Sequence, residues 1–187
     1  MVNDKEITAA VFSDTHGNQA ELRDAIFSNG PFDMIIHVGD GVLDGEAAAK
    51  EFGIKFCAVA GNEDLGLGFP EKKALEINRW SFLLLHGHQT EINPYQPKAV
   101  WEQHIQELCR VAARANAQVL LFGHTHQPML MRKDGIILCN PGDQHRGSSD
   151  APTFALLKVK SDSLDLRVMK KEGEKKWAPI LKLSTSR

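Results

Sequence analysis

The sequence predicts an α/β fold in which two sheets pack together with helices on the outside. Three observations predict it. Short apolar runs alternate with helical segments early in the chain, and the last third is almost wholly β in pattern. A polar motif carrying Gly with Asp, Asn or His follows each of five strand-like runs. A layered arrangement buries the faces that such elements present.

In order, Ile7 to Phe12 reads as a buried strand, followed by a helix from about Gln19 to Ser28 that stops at Gly30-Pro31. Met34 to Val38 is a second strand, and Glu46 to Phe52 a short helix with Gly53 placed as its left-handed cap. Ile54 to Ala60 is a third strand. Ala74 to Asn78 and Ser81 to Leu85 follow, joined tightly around Asn78-Arg79. The longest helix runs from about Lys98 to Ala115, with Trp101, Ile105, Leu108, Ala112 and Ala115 on one apolar face. Val119 to Phe122 is another strand. Met129 to Arg132 and Ile136 to Cys139 flank the hairpin signal Asp134-Gly135. Thr153 to Lys160 and Leu164 to Lys170 form a further β pair. Lys170 to Lys176 is rich in charge, and roughly the last 15 residues read as a solvated, mobile tail.

The chain has 187 residues, the size of one domain, so 1–187 is expected to be a single unit. With 22 basic against 24 acidic residues the formal charge is −2, which excludes the basic footprint of a dedicated nucleic-acid binder. At 42% hydrophobic, the composition also excludes disorder. Three separated cysteines (Cys57, Cys109, Cys139) read as core filler in a reducing compartment. An acid at position 4 and a short apolar run do not fit a signal peptide. No stretch approaches the roughly 20 apolar residues of a membrane span. A cytoplasmic protein without a membrane partner is expected, and a homo-oligomer is left open.

The polar motifs are Ser13-Asp14-Thr15-His16-Gly17-Asn18, Gly39-Asp40-Gly41, Gly61-Asn62-Glu63-Asp64, His86-Gly87-His88 and Gly123-His124-Thr125-His126. Ligands of α/β sheets bind beyond the carboxyl ends of the strands, so these tips should meet in one region. Asp14, His16, Asp40, Asn62, His86, His124 and His126 make seven N/O donors without a thiolate, more than one tetrahedral zinc accepts. They suit two divalent ions sharing a carboxylate. Four of the seven are imidazoles, which favours Mn²⁺ over Mg²⁺, with Fe, Zn, Ni and Co as further candidates. There is no GxSxG elbow and no GxxxxGK[ST] loop, so a protein nucleophile and NTP-driven chemistry are disfavoured. His37 reads as a core histidine and His104 as an exposed one. His145 and Arg146 read as solvated loop residues, though they lie close behind Asn140-Pro141-Gly142.

DxH, GD, GNxD, HGH and GHTH in this order resemble the calcineurin-like metallophosphoesterase superfamily, from about Ile7 to Asp143 and including Asn140-Pro141-Gly142. The short chain resembles the small bacterial and archaeal phosphodiesterase branch, which also contains the retromer subunit of this fold. The resemblance implies a four-layer α/β/β/α sandwich. It implies one ion held by Asp14, His16, Asp40 and His126, and a second held by Asp40, Asn62, His86 and His124. A hydroxide bridging the ions would attack a phosphate-ester substrate, most simply a phosphodiester. The alternative is a non-catalytic metal-binding scaffold for protein interaction. Asp40 as the shared carboxylate, His88 as a group near the substrate, and Glu63 are the candidate catalytic residues. Glu63 stands where many relatives have His after the Asn, and Asp143 stands where the family pattern has Ser.

Overall fold

The computed structural model describes residues 5–93 and 95–187; the acid at position 4 lies outside them. The elements run β1 (Ile7–Phe12), α1 (Gln19–Asn29), β2 (Met34–His37), α2 (Val42–Phe52), β3 (Lys55–Ala58), β4 (Lys72–Ile77) and β5 (Trp80–Leu85). After a short 3₁₀ turn (His88–Thr90) come α3 (Lys98–Arg114), β6 (Val119–Leu121), β7 (Met129–Lys133), β8 (Ile136–Asn140), β9 (Thr153–Val159), β10 (Ser163–Gly173) and β11 (Lys176–Ser186).

Two mixed sheets result. One is six-stranded in the order β11-β10-β9-β1-β2-β3, the other five-stranded in the order β4-β5-β6-β8-β7. Strands β1, β2 and β3 are mutually parallel, as are β5, β6 and β8. Side chains alternate between layers as the pleat requires. Ala9 and Val11 enter the space between the sheets with Ile36, Phe82, Leu84, Leu121 and Leu157. Ala10 and Phe12, from the same strand, turn to the layer under α1 and α2 with Leu22, Ile26 and Ala48. Leu83, Leu85 and Leu120 meet Ile105, Leu108 and Ala112 of α3. Both faces of the central strands are therefore covered, which is why they read as continuous apolar runs. The four-layer sandwich expected from the sequence is the fold observed.

Two elements differ from expectation. Helix α2 begins at Val42, not near Glu46, because the Asp64 carboxylate accepts hydrogen bonds from the N–H groups of Gly41 and Val42 and so starts the helix from a distant loop. Gly53 ends it in the left-handed conformation, as anticipated. The residues expected to trail as a tail instead form β11, paired antiparallel along β10 from Ser163↔Ser186 to Gly173↔Lys176. Trp177 packs edge-on against Phe154 with ring centroids 5.2 Å apart, and Leu181 and Leu183 pack against the inter-sheet core. Three residues of this strand, Trp177, Leu181 and Leu183, meet apolar partners, so its polar composition reflects an edge, not a free tail.

Candidate metal centre

The carboxyl ends of six parallel strands, three from each sheet, open toward one region. Asp14 and His16 follow β1, Asp40 follows β2, and the Gly61–Asp64 loop follows β3. His86 and His88 follow β5, His124 and His126 follow β6, and Asp143 follows β8. The backbone turns so sharply here that Asp14, His16, Asp40, His124 and His126 all hold positive φ, between 44° and 66°. L-residues rarely adopt this region, at roughly 1–2 kcal/mol each, so surrounding structure must impose it.

The restraints are visible. The Asp64 carboxylate gathers the N–H groups of Asp40, Gly41, Val42 and Gly61. Asp44 accepts from the Thr15 hydroxyl, the Gly17 N–H and the Gln19 amide. Asn140 donates to the Gly123 carbonyl and the Thr125 hydroxyl. Two glycines permit the close approach. A Cβ at Gly61 would lie 2.1 Å from Asp40 Oδ1, and one at Gly123 would lie 2.7 Å from Asp14 Oδ2. The supporting roles of Asp44, Asp64 and Asn140 escaped the sequence reading, although Asp64 and Asn140 lay inside the quoted motifs.

Within this frame six of the seven expected donors come together. Asp14 Oδ2 is committed to the Ser13 hydroxyl and the His124 N–H. Asp14 Oδ1 is buried without a hydrogen-bond partner, as are His16 Nε2 and His86 Nε2. That oxygen lies 3.3 Å from His126 Nε2, 3.8 Å from His86 Nε2 and 4.0 Å from His16 Nε2. Asp40 Oδ2 lies 3.2 Å from His86 Nε2, and Asp40 Oδ1 accepts the Glu63 N–H at 2.8 Å. Asp14, His16 and His126 form one cluster with donor atoms close enough for a metal ion, and Asp40, His86 and His124 form a second. Asn62 is exposed in the loop between Gly61 and Glu63. Buried polar atoms left unpaired around one point are costly, and a cation among them satisfies all of them together. The donor set thus fits divalent ions of the transition series.

The electrostatics agree. Burial pushes the Asp14 carboxyl up, but His126 and His86 beside it outweigh that and hold it below the usual carboxylate range. Burial acts likewise on Asp40, and its contact with His86 holds it at about 2. The carboxylates of Asp14 and Asp143 hold His126 at about 10, while burial and then His86 lower His124. Both carboxylates are charged at neutral pH and available to a cation.

His88 lies on the second cluster's side, its ring 5.5 Å from that of His86 and 6.1 Å from that of His124, with a buried, unpartnered Nδ1. Glu63 turns its carboxylate onto His16 Nδ1 at 2.9 Å. His145, which read as solvated, packs edge-on against His16 at 4.8 Å between centroids. A cavity of about 640 Å³ opens beside the centre, lined by His124, His126, Asp143, His145, Tyr95 and Gln127 among others. His37 is fully buried, as expected of a core histidine.

Fold and site together define a two-sheet protein with candidate metal-holding clusters at its strand ends. The calcineurin-like phosphoesterase superfamily domain matches residues 7–162. A probable metallophosphoesterase of Methanothermobacter thermautotrophicus is 27% identical over 165 residues, 86% of this chain and 90% of the relative. Wild-type Vps29 of Entamoeba histolytica, solved in complex with Zn²⁺, shares the fold with a TM-score of 0.74 at 18% identity, over 96% of this chain and 99% of that one. An archaeal phosphodiesterase shares it with a TM-score of 0.60 at 20% identity, over 93% and 99%. The chain belongs to the calcineurin-like phosphoesterase superfamily, and it shares its fold with Vps29 and the archaeal phosphodiesterase. Its chemistry is that of a metal-dependent phosphoesterase. Among the described residues, no helix is long and apolar enough to cross a membrane.

Proposed function

We propose that the protein is a phosphodiesterase with a dinuclear centre. One ion is held by Asp14, His16, Asp40 and His126, the other by Asp40, Asn62, His86 and His124. The observation that carries this reading is that two buried, unpartnered nitrogens, His86 Nε2 and His16 Nε2, lie 3.8 Å and 4.0 Å from the likewise buried and unpartnered Asp14 Oδ1. Two ions, when bound, supply an activated water and neutralise phosphoryl charge. Mn²⁺ is the proposed ion, because imidazole donors suit it better than they suit Mg²⁺.

The chain's own residues supply the rest. Asp40 carries the shared carboxylate and is kept ionised by His86. The ring nitrogen His86 Nδ1 donates to the Val38 carbonyl at 2.7 Å, which leaves Nε2 for coordination. His88, beside the second set, contacts an oxygen of the ester bound there. The adjoining cavity, lined by His145 and Gln127 among others, takes one organic group of the ester. The likeness to an archaeal phosphodiesterase supports the diester over a monoester. The Vps29 likeness gives the alternative, a metal-binding scaffold without turnover, a clear signature of its own.

The test measures metal content and hydrolysis of an aryl phosphodiester on one purified sample. Two ions per chain are expected, with Mn²⁺ activating the stripped protein more than equal Mg²⁺. Asp40→Ala should retain neither ion tightly. Two tightly held ions in that variant overturn the shared role of Asp40; bound metal without turnover in the wild type supports the scaffold instead.

A further inference from the structure

The two halves of this centre are not supported alike. His16 Nδ1 lies 2.9 Å from Glu63 Oε2, and His126 Nδ1 lies 2.8 Å from Asp143 Oδ2. Both imidazoles of the Asp14 cluster thus have a carboxylate behind them. In the other cluster, His86 Nδ1 meets only a neutral backbone carbonyl, that of Val38. The His124 ring has no hydrogen bond among the described residues, although its backbone N–H donates to Asp14.

We infer that Glu63 and Asp143 are positioning carboxylates for one ion only, so that the site of Asp14, His16 and His126 holds its ion more tightly than the site of His86 and His124 and fills first. The inference rests on the dinuclear reading above. Its physical basis is the effect of an outer carboxylate on a ligating imidazole. The carboxylate accepts a hydrogen bond from Nδ1–H, fixes the tautomer, directs Nε2 inward and raises the ligand's basicity; losing such a partner costs about 10–100-fold in metal affinity.

The two carboxylates do not contribute equally. The Asp143 side chain is 3% exposed, whereas that of Glu63 is 61% exposed. Solvent and salt screen the Glu63 charge far more than the Asp143 charge. Asp143 also has a reason of its own to bind there. A buried carboxylate is unfavourable without a partner, and its Oδ2 meets His126. Each carboxylate lies against an Nδ1, the ring nitrogen other than the Nε2 offered to the ion. Their role is therefore exerted through the imidazoles, and neither needs to touch substrate.

Titration of Mn²⁺ into metal-stripped protein, followed by calorimetry and by the Mn²⁺ paramagnetic signal, tests this without reference to turnover. The wild type should bind two ions in two resolved steps. Asp143→Asn should weaken the tighter step about 10–100-fold and leave the weaker step unchanged. Glu63→Gln, exposed and safe for folding, should weaken the same step by less. His126→Ala should remove the tight step and His86→Ala the weak one, which assigns them. Equal affinities for the two ions in the wild type, or variants that weaken both steps alike, would overturn the inference and leave the dinuclear reading standing. A wild type that takes up no second ion would instead overturn that reading.

Discussion

His37 shows how a single buried side chain links the site to stability. Its Nδ1 accepts the Gly39 N–H at 3.3 Å and its Nε2 faces the Thr15 hydroxyl at 3.3 Å. That hydroxyl donates onward to Asp44. Protonation would set an N–H at Nδ1 against the Gly39 N–H. Burial, the largest cause, and the charge of His86 push the imidazole down to about 4 from its ordinary 6.5, against the pull of Asp64, Asp14 and Asp44. In the unfolded chain the same ring takes up its proton near 6.5. Between these values the unfolded state binds more protons, so stability rises with pH through this window and is lost on acidification from 6.5 toward 4. For a shift of this size the loss is on the order of 3 kcal/mol. His37→Gln keeps an acceptor and a donor but cannot titrate. Denaturant unfolding of metal-free protein at pH 7 and pH 4.5 should show the variant losing less stability than the wild type; identical losses would place the acid sensitivity elsewhere.

At the scale of elements, the C-terminal hairpin carries the sharpest expectation. Deleting residues 176–187 removes β11 from β10, uncovering Leu166 and Val168 and taking Trp177 from Phe154. Fully burying one large apolar side chain contributes about 1.5–3 kcal/mol, so three partly buried ones together contribute several. A chain of this length loses roughly 2–4 °C of Tm per kcal/mol. The truncated protein should melt about 10 °C lower and should self-associate through the bared β10 edge. Unchanged melting with no association in light scattering would make β11 dispensable. This strand was also the element hardest to read from sequence. Lys176, Pro179 and Lys182 protect a free edge, and that protection resembles a solvated tail when no partner is in view. The strands at the centre were legible for the opposite reason, since burial on both faces leaves an apolar run ending in Gly and a donor. Site residues adjacent in sequence to those ends were legible too. The start of α2 and the tethering of His126 by Asp143 were not, because each depends on a contact between residues far apart in the chain. Glu63 and Asp143 drew notice as departures from the family pattern. Only their placement against His16 and His126 shows what a carboxylate accomplishes there.

For the molecule as a whole, the decisive feature is that the centre belongs to neither sheet alone. Asp14, His16, Asp40 and Asn62 come from the six-stranded sheet, and His86, His124 and His126 from the five-stranded one. Each proposed ion takes donors from both, so neither set survives if the sheets separate. An ion bound only by the folded state stabilises it by mass action, about 4 kcal/mol at a thousandfold excess over Kd. The buried donors add to this dependence: without cations, the Asp14 and Asp40 carboxylates stay buried, with His16 Nε2 and His86 Nε2 lacking hydrogen-bond partners. Removing metal should therefore lower Tm by roughly 8–16 °C for each ion lost, and restoring Mn²⁺ should recover it. The discriminating comparison sets wild type against Asp40→Ala, each scanned with chelator and with excess Mn²⁺. The variant has lost one of the two buried charges, so its chelated form should melt close to the chelated wild type or above it, and Mn²⁺ should move it little. If the chelated wild type melts as high as the loaded protein, the folded state holds no ion tightly, and the centre is organised by the packing of Val11, Ile36, Phe82 and Leu121 alone.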